Sequence, residues 1–302
     1  MLADLRVLDC TDESGFLAGK ILGDLGADVV KVEPPGGDAA GRRPPYLAGV
    51  ADRERSLSWL ALNTSKRGIT LDLERAAGRA AFARLLAWAD VLLDTFPPGT
   101  LEAWELGWES LHASHPRLVR CAITPFGLTG PYAHFRARDL VVVAMGGAAE
   151  TSGDPARPPV RCTMPAAYYH AAPEAALGIL MALQARVASG AGQLVDVSLQ
   201  EVQLGTRLGA PEAQGGAGPR ESWSVRDVLA DPLLRDRALF TTIEYPELGA
   251  AIEHPAFFAK AGRGAIAIRR RAPRIGEHND AVYRDAGFAP AELEKLAAEG
   301  AI

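Results

Sequence analysis

Cysteine is scarce in the 302-residue chain, and its arrangement is as informative as its number. Cys10, Cys121 and Cys162 are odd in count, scattered and without a C-x-x-C spacing. That excludes a disulfide frame or a cysteine zinc site and leaves reduced, buried thiols as the expectation. Excess positive charge is also missing. Thirty-two Lys and Arg against 37 Asp and Glu give a net charge of -5, so the broad basic footprint of a nucleic-acid partner is absent. The one basic run, residues 269–271, reads as the edge of a strand or loop. No apolar stretch is long enough to span a bilayer. The N-terminus "MLADLRVLD" lacks the charged-then-apolar layout of a signal peptide, so a cytoplasmic protein without a membrane partner is expected. His112, His115, His254 and His278 show no metal-ligand spacing, and no metal is expected. Internal repeats are missing as well.

What is present is apolar residue in quantity, 48% against 23% charged, the balance of a chain that buries a large core. Its order is alternating. "LRVLDCT", "DVVKVE", "GITLDL", "DVLLDTF" and "RLVRCAIT" are short apolar runs of strand character. Between them stand helical patterns, "GFLAGKILGDLGA" ending at Gly26 and "ERAAGRAAFARLLAWA". This alternation predicts βαβ units and a parallel sheet covered on both faces. Glu33 closes the second strand, where dinucleotide-binding folds place the acid for a ribose hydroxyl. The turn after the first strand decides against that ligand. "DCTDESGFLAG" has no G-x-G-x-x-G, and Asp12 and Glu13 would repel a pyrophosphate. Gly15, Gly19 and Gly23 instead recur at helical spacing, which predicts close packing of this helix on the sheet.

Residues 127–160 are loop-rich, the type of segment that carries binding residues over an α/β scaffold. Residues 164–204 read as a long apolar helix, a "SGAGQ" turn, the strand "LVDVSL" and a further helical start. A low-complexity stretch follows. Three parts are therefore expected: a large domain over 1–204, a linker over 205–225, and a C-terminal α+β segment over 226–302. That last segment is read as a short helix, strands at "ALFTTIEYP" and "GAIAIRR", and the closing helix "APAELEKLAAEG".

Several runs together resemble the class III CoA-transferases, the family that also holds formyl-CoA transferase, carnitine CoA-transferase and α-methylacyl-CoA racemase. They are "LGADVVKVEPPGGD", "NTSKRGITLDLE", "ADVLLDTFPPGTLEAWELGWESL", "HPRLVRCAITPFGLTGPY" and "GAGQLVDVSLQE", joined by "DPLLRDRALFTTIEYPELG" and "PRIGEHNDAVYRDAGF" nearer the C-terminus. The resemblance implies an α/β, Rossmann-like, doubly wound parallel sheet, a small domain here reduced to the linker, and interlocked chains. A homodimer, or a heteromer with a homologous subunit, is the expected assembly. It also implies transfer of CoA between acyl groups, with acyl-CoA and a carboxylic acid as substrates and no permanently bound cofactor.

The implied site is irregular. Counting back from Gly178, the family's nucleophilic aspartate falls on Tyr168, which cannot form the mixed anhydride that the reaction passes through. The racemase bases fall on Tyr168 and Arg138 and are both missing. Asp139 matches an acid lining the family's active site, and Arg136 matches a basic residue near the CoA phosphates. Lys66, Arg67, Phe96 and Ala18 are the other CoA-contacting positions implied. Glu74 and Ala103 replace basic contacts, and Thr95 replaces an asparagine. Simpler readings stay open beside these: Lys66–Arg67 as a structural pair at a strand entrance, Asp139 as a helix cap, Tyr168 and Tyr169 as buried aromatics, and His170 as a packed histidine. Two functional readings follow, a transferase with an atypical site, or a non-catalytic subunit or degenerate CoA-binding homologue that needs an aspartate-bearing partner. Asp139, Tyr168 and residues 12–16 are expected to meet in one cleft at the strand ends.

Overall fold

The computed structural model describes residues 1–149, 152–154, 156–206, 225–257, 259–261, 264 and 266–302. Its centre is a parallel sheet of six strands: β1 (Arg6–Cys10), β2 (Asp28–Glu33), β3 (Lys66–Thr70), β4 (Val91–Asp94), β5 (Val119–Thr124) and β6 (Leu194–Ser198). The spatial order is β3-β2-β1-β4-β5-β6, and every pairing is parallel. The order changes direction between β1 and β4, which opens a crevice beyond their carboxyl ends.

Apolar residues alternate between two cores because successive side chains point to opposite faces. Val7, Val29 and Val91 join α1 (Phe16–Asp24) and α7 (Ala166–Ser189) in one layer. Leu8, Val30 and Leu92 face the other layer, with Phe82, Leu85 and Leu86 of α3 (Ala76–Trp88). The expected glycine packing holds. A Cβ on Gly19 would lie 2.1 Å from Asp9 Oδ2, and one on Gly23 would lie 2.8 Å from the Ser65 carbonyl. Shorter helices α2 (Leu57–Leu62), α4 (Thr100–Ala103), α5 (Trp108–Ser114), α6 (Asp139–Met145) and α8 (Leu199–Gly205) complete this part.

The C-terminal residues return to the sheet edge. Gly68 N–H donates to His278 Nδ1 at 3.1 Å, Thr70 N–H to Asn279 Oδ1 at 2.8 Å, and the Tyr283 hydroxyl to the Thr70 carbonyl at 2.7 Å. Tyr283 and Val282 of α11 (Asn279–Asp285) and Leu296 of α12 (Pro290–Ala298) are buried in the α3 layer. Ahead of them come α9 (Val225–Ala230), α10 (Pro232–Asp236) and an antiparallel hairpin, β7 (Phe240–Tyr245) with β8 (Ala250–Pro255). Tyr245 fixes the hairpin, its hydroxyl donating to the Leu60 carbonyl at 3.2 Å.

Two expectations need correction. The second C-terminal strand is β8, not "GAIAIRR". Gly249, at φ +60°, turns the chain straight back onto β7, whereas over 266–270 the backbone bonds to non-strand neighbours. There Ala267 N–H donates to the Asp24 carbonyl, and the Arg270 carbonyl accepts from Ser65 N–H. Cys162 is exposed in the loop before α7, while Cys10 and Cys121 are buried as expected. Most of the expected linker lies outside the described residues. Among the described residues no helix is long and apolar enough to cross a membrane, and no cluster has the makings of a metal site.

Candidate active site

Four loops leave the carboxyl ends of β1, β2, β4 and β5 and meet over the crevice. Thr95 Oγ1, after β4, accepts the Asp12 N–H after β1 at 2.8 Å, tying the two strands that flank the change of direction. Asp12 in turn closes its own turn, Oδ1 accepting from Ser14 N–H at 2.9 Å. Beneath it, Asp9 Oδ1 accepts both the N–H (3.1 Å) and the hydroxyl (2.5 Å) of Thr11, and Lys31 Nζ donates to the Thr11 carbonyl at 2.7 Å. Burial opposes the charge on Lys31, yet Asp9, Asp38 and Glu33 outweigh it and hold the ammonium above its ordinary pKa. A buried charge network thus sets the geometry of the 12–15 turn.

Asp139, Tyr168 and that turn do converge. The Asp139 N–H donates to the Tyr168 hydroxyl at 3.1 Å, and Asp139 Oδ1 accepts the Ala167 N–H at 2.8 Å. The carboxylate therefore caps α7, the neighbouring helix, and does not cap α6, which it begins. Burial raises the Asp139 carboxyl, with the Ala167 N–H opposing. Tyr168 is buried against the α7 core. Its phenol is pushed above the ordinary value by burial and, after the Asp139 N–H that opposes, by the carboxylates of Glu13, Asp12 and Asp139. Glu13 closes the outer edge, bound through both oxygens by Arg43 and lying 3.4 Å from Arg138 Nη1.

The remaining positions separate. Phe96 follows β4 at the crevice, its N–H donating to Asp94 Oδ1 at 3.2 Å. Asp94 is fixed by Arg120 at 2.8 Å in a buried pair. Arg136 is exposed in the loop after β5. Three others face elsewhere. Lys66 is wholly buried, 2.7 Å from Asp9 Oδ2 and donating to the Phe16 carbonyl and Asn63 Oδ1 at 2.8 Å each. Burial pulls its ammonium down to about 8 against the pull of Asp9. Arg67 grips Asp28 and Asp285 at 2.6 and 2.8 Å, at the amino ends of β2 and β3. Ala18 has no exposed surface. For these three the contacts in the structure are those of a structural role. Tyr169 is half-buried, whereas His170 is exposed and its Nδ1 accepts from Gln203 Nε2 at 2.9 Å. With Glu174 and Glu201 it lines a groove of about 600 Å³ along α7 and α8.

Glu33 lies at the end of β2, nearly enclosed. Its Oε2 accepts the Asp38 N–H at 2.9 Å, and Oε1 has no hydrogen-bond partner among the described residues. Burial pushes this carboxyl up to about 7, with Lys31 opposing. Between its ordinary range and about 7 the folded chain holds a proton that the unfolded chain has released. The contribution to stability is therefore full at low pH and lost as pH rises through about 7. Relative to the parent protein, Glu33→Gln is expected to gain about 3 kcal/mol between pH 5 and pH 8 in urea melts. A difference independent of pH would contradict this.

Comparison with known proteins places the chain. It belongs to CoA-transferase family III, whose profile matches residues 2–211. It is 42% identical over 207 residues to "Succinyl-CoA--D-citramalate CoA-transferase" of Chloroflexus aurantiacus, covering 66% of this chain and 49% of that protein. To "Succinyl-CoA:(R)-benzylsuccinate CoA-transferase subunit BbsE" of Thauera aromatica it is 39% identical over 198 residues, covering 66% and 48%. The chain thus spans about half the length of these curated relatives. The fold matches a CAIB/BAIF family protein of Brucella suis, with a TM-score of 0.82 at 24% identity over 93% of this chain and 98% of that one.

Arg43 and Lys31 are the site residues that sequence reasoning does not reach. Glu13 falls within the 12–16 stretch expected at the cleft, but nothing local marks the arginine that it meets.

Proposed function

We propose that this chain takes part in transferring CoA between carboxylic acids, with short dicarboxylic acids as the substrate class, and that it works as one subunit of a transferase. A homologous chain would carry the nucleophilic carboxylate. The observation that carries the reading is the family match over a strand-end crevice in which a tyrosine stands at the implied nucleophile position. The relatives above are named for succinyl-CoA, citramalate and benzylsuccinate, which supports the dicarboxylic class, and one of them is named as a subunit.

The chemistry asks for a group that accepts an acyl carbon and leaves again. A carboxylate does this through a mixed anhydride, whereas the phenol of Tyr168 would stop at an aryl ester. Burial and the nearby acids keep that phenol protonated, and its oxygen already accepts the Asp139 amide. In this reading Tyr168 fills the position and the 12–15 turn shapes the thioester side. Phe96 and Arg136 are the CoA-contacting candidates that remain accessible. CoA itself is a substrate, not a resident cofactor.

The test is to purify the chain alone and together with a co-expressed homologue bearing the aspartate. Alone it is expected to exchange no CoA between succinyl-CoA and a dicarboxylic acid, and to give no hydroxamate on any carboxylate when trapped with hydroxylamine. The pair is expected to do both. Acyl labelling of Asp139 or Glu174 in the isolated chain would instead establish a self-sufficient enzyme with a relocated nucleophile.

A further inference from the structure

We propose that Arg43 and Arg138 form the receptor for the far carboxylate of a dicarboxylic acyl group, and that Glu13 occupies this receptor as an internal stand-in. The inference rests on the reading of the crevice as a site for short dicarboxylic thioesters and says which residues would recognise them. Arg43 donates to both oxygens of Glu13, and Arg138 lies 3.4 Å from one of them. The arginines come from the loops after β2 and β5, 30 and 125 residues from Glu13. Two distant loops thus bring guanidinium groups to one carboxylate.

Both arginines remain reachable, with side chains 45% and 73% exposed, while the Glu13 side chain is 24% exposed. Their place is beside the reacting position. Arg138 immediately precedes Asp139, whose N–H meets the Tyr168 hydroxyl at 3.1 Å. Asp12 and Asp139 surround the crevice with negative charge and would repel an incoming dicarboxylate, so the guanidinium pair must supply the attraction. Guanidinium donors match a carboxylate in geometry as well as in charge. An acyl chain ending in a methyl group offers nothing to replace Glu13 and leaves the pair where it is. A chain ending in a carboxylate competes with Glu13 for the pair, and its gain is the new ion pair less the cost of displacing Glu13. Partial burial, which raises the Glu13 carboxyl above its usual range, makes it a weaker holder of the site than a well-solvated acid. Selection then arises from the new ion pair, and Glu13 as competitor reduces it.

Calorimetric titration of the whole chain with succinyl-CoA and butyryl-CoA tests this, since the acyl chains have equal carbon count and differ in the terminal carboxylate. The parent protein is expected to favour succinyl-CoA about tenfold, the size of one charge-assisted contact. Arg43→Gln and Arg138→Gln are each expected to bring that ratio close to one. Glu13→Gln removes the competitor and is expected to raise the ratio by about another tenfold. A purely structural role for Glu13 would weaken both thioesters together and leave the ratio alone. A parent ratio near one, or a ratio untouched by either arginine substitution, overturns the proposal. Should Arg43→Gln not fold, Arg43→Lys keeps the charge but loses the planar guanidinium that reaches both oxygens, and an intermediate ratio is expected. If neither thioester binds, the CoA reading falls on its own. The receptor is then judged with free succinate against butyrate in the same variants, and equal heats overturn it.

Discussion

Lys66→Met is expected to lower the folding free energy by about 3–5 kcal/mol, read from the urea midpoint at neutral pH. The reason is what would be left behind. Lys66 and Asp9 are both fully buried, and removing the ammonium strands a carboxylate beneath the sheet end with only Lys31 to oppose its charge. Burial alone would raise the Asp9 carboxyl; Lys66 and Lys31 together hold it below the ordinary range. The same substitution in an Asp9→Asn background is expected to cost much less, because no buried charge is then uncompensated. Equal costs in the two backgrounds would mean that Lys66 matters through its contacts with Asn63 and Phe16 and not through the ion pair. The double cycle also bears on function. Asp9 holds Thr11, and Thr11 leads into the turn at the crevice, so a loss here reaches the site without any ligand contact.

The sheet was legible in the sequence because its strands are covered on both faces. Such strands read as continuous apolar runs, and "DVVKVE" corresponds residue for residue to β2. β8 was harder to see. "AAIEHP" alternates weakly, lies against one partner strand among the described residues, and gains its definition from the turn at 246–249. The site divided along a similar line. That Asp139, Tyr168 and the 12–16 turn meet follows from topology, because loops at one end of a parallel sheet must share the same space. Which charges pair cannot be read that way. "NTSKRG" looks like a cationic ligand motif, but its lysine meets Asp9 from two strands away, with β2 between them. Glu13 finds Arg43 and Arg138 across separations that leave no local pattern. Hydrophobic order is written along the chain, whereas charge pairing is written in the fold.

Tyr168→Asp is expected to give the isolated chain a trace of hydroxamate-trappable acyl groups at that position while leaving exchange at least about 100-fold below that expected of the co-expressed pair. That is the scale on which small misplacement of a reacting group costs rate. The phenol reaches the Asp139 N–H because the ring carries its oxygen out from the apolar core that Tyr168 joins. A carboxylate on the same α7 backbone stops short of that point. It would sit among apolar side chains, and the Asp139 amide would lose its acceptor. The substitution is accordingly expected to destabilise the fold by about 3–5 kcal/mol, combining the loss of a large buried side chain with the burial of a charge. Tyr168→Phe separates the two causes. It keeps the ring, removes only the acceptor of one hydrogen bond, and should cost about 1–3 kcal/mol. Mass spectrometry after hydroxylamine trapping reads the chemistry, and urea melts read the stability. Exchange restored to the partnered rate by Tyr168→Asp alone would mean that the crevice is already complete and only the nucleophile was lacking. The partner would then be unnecessary for shaping the site. Trace trapping with a large loss of stability would mean that the surroundings of Tyr168 have become those of a core aromatic, and that a second chain has to supply both the carboxylate and its setting.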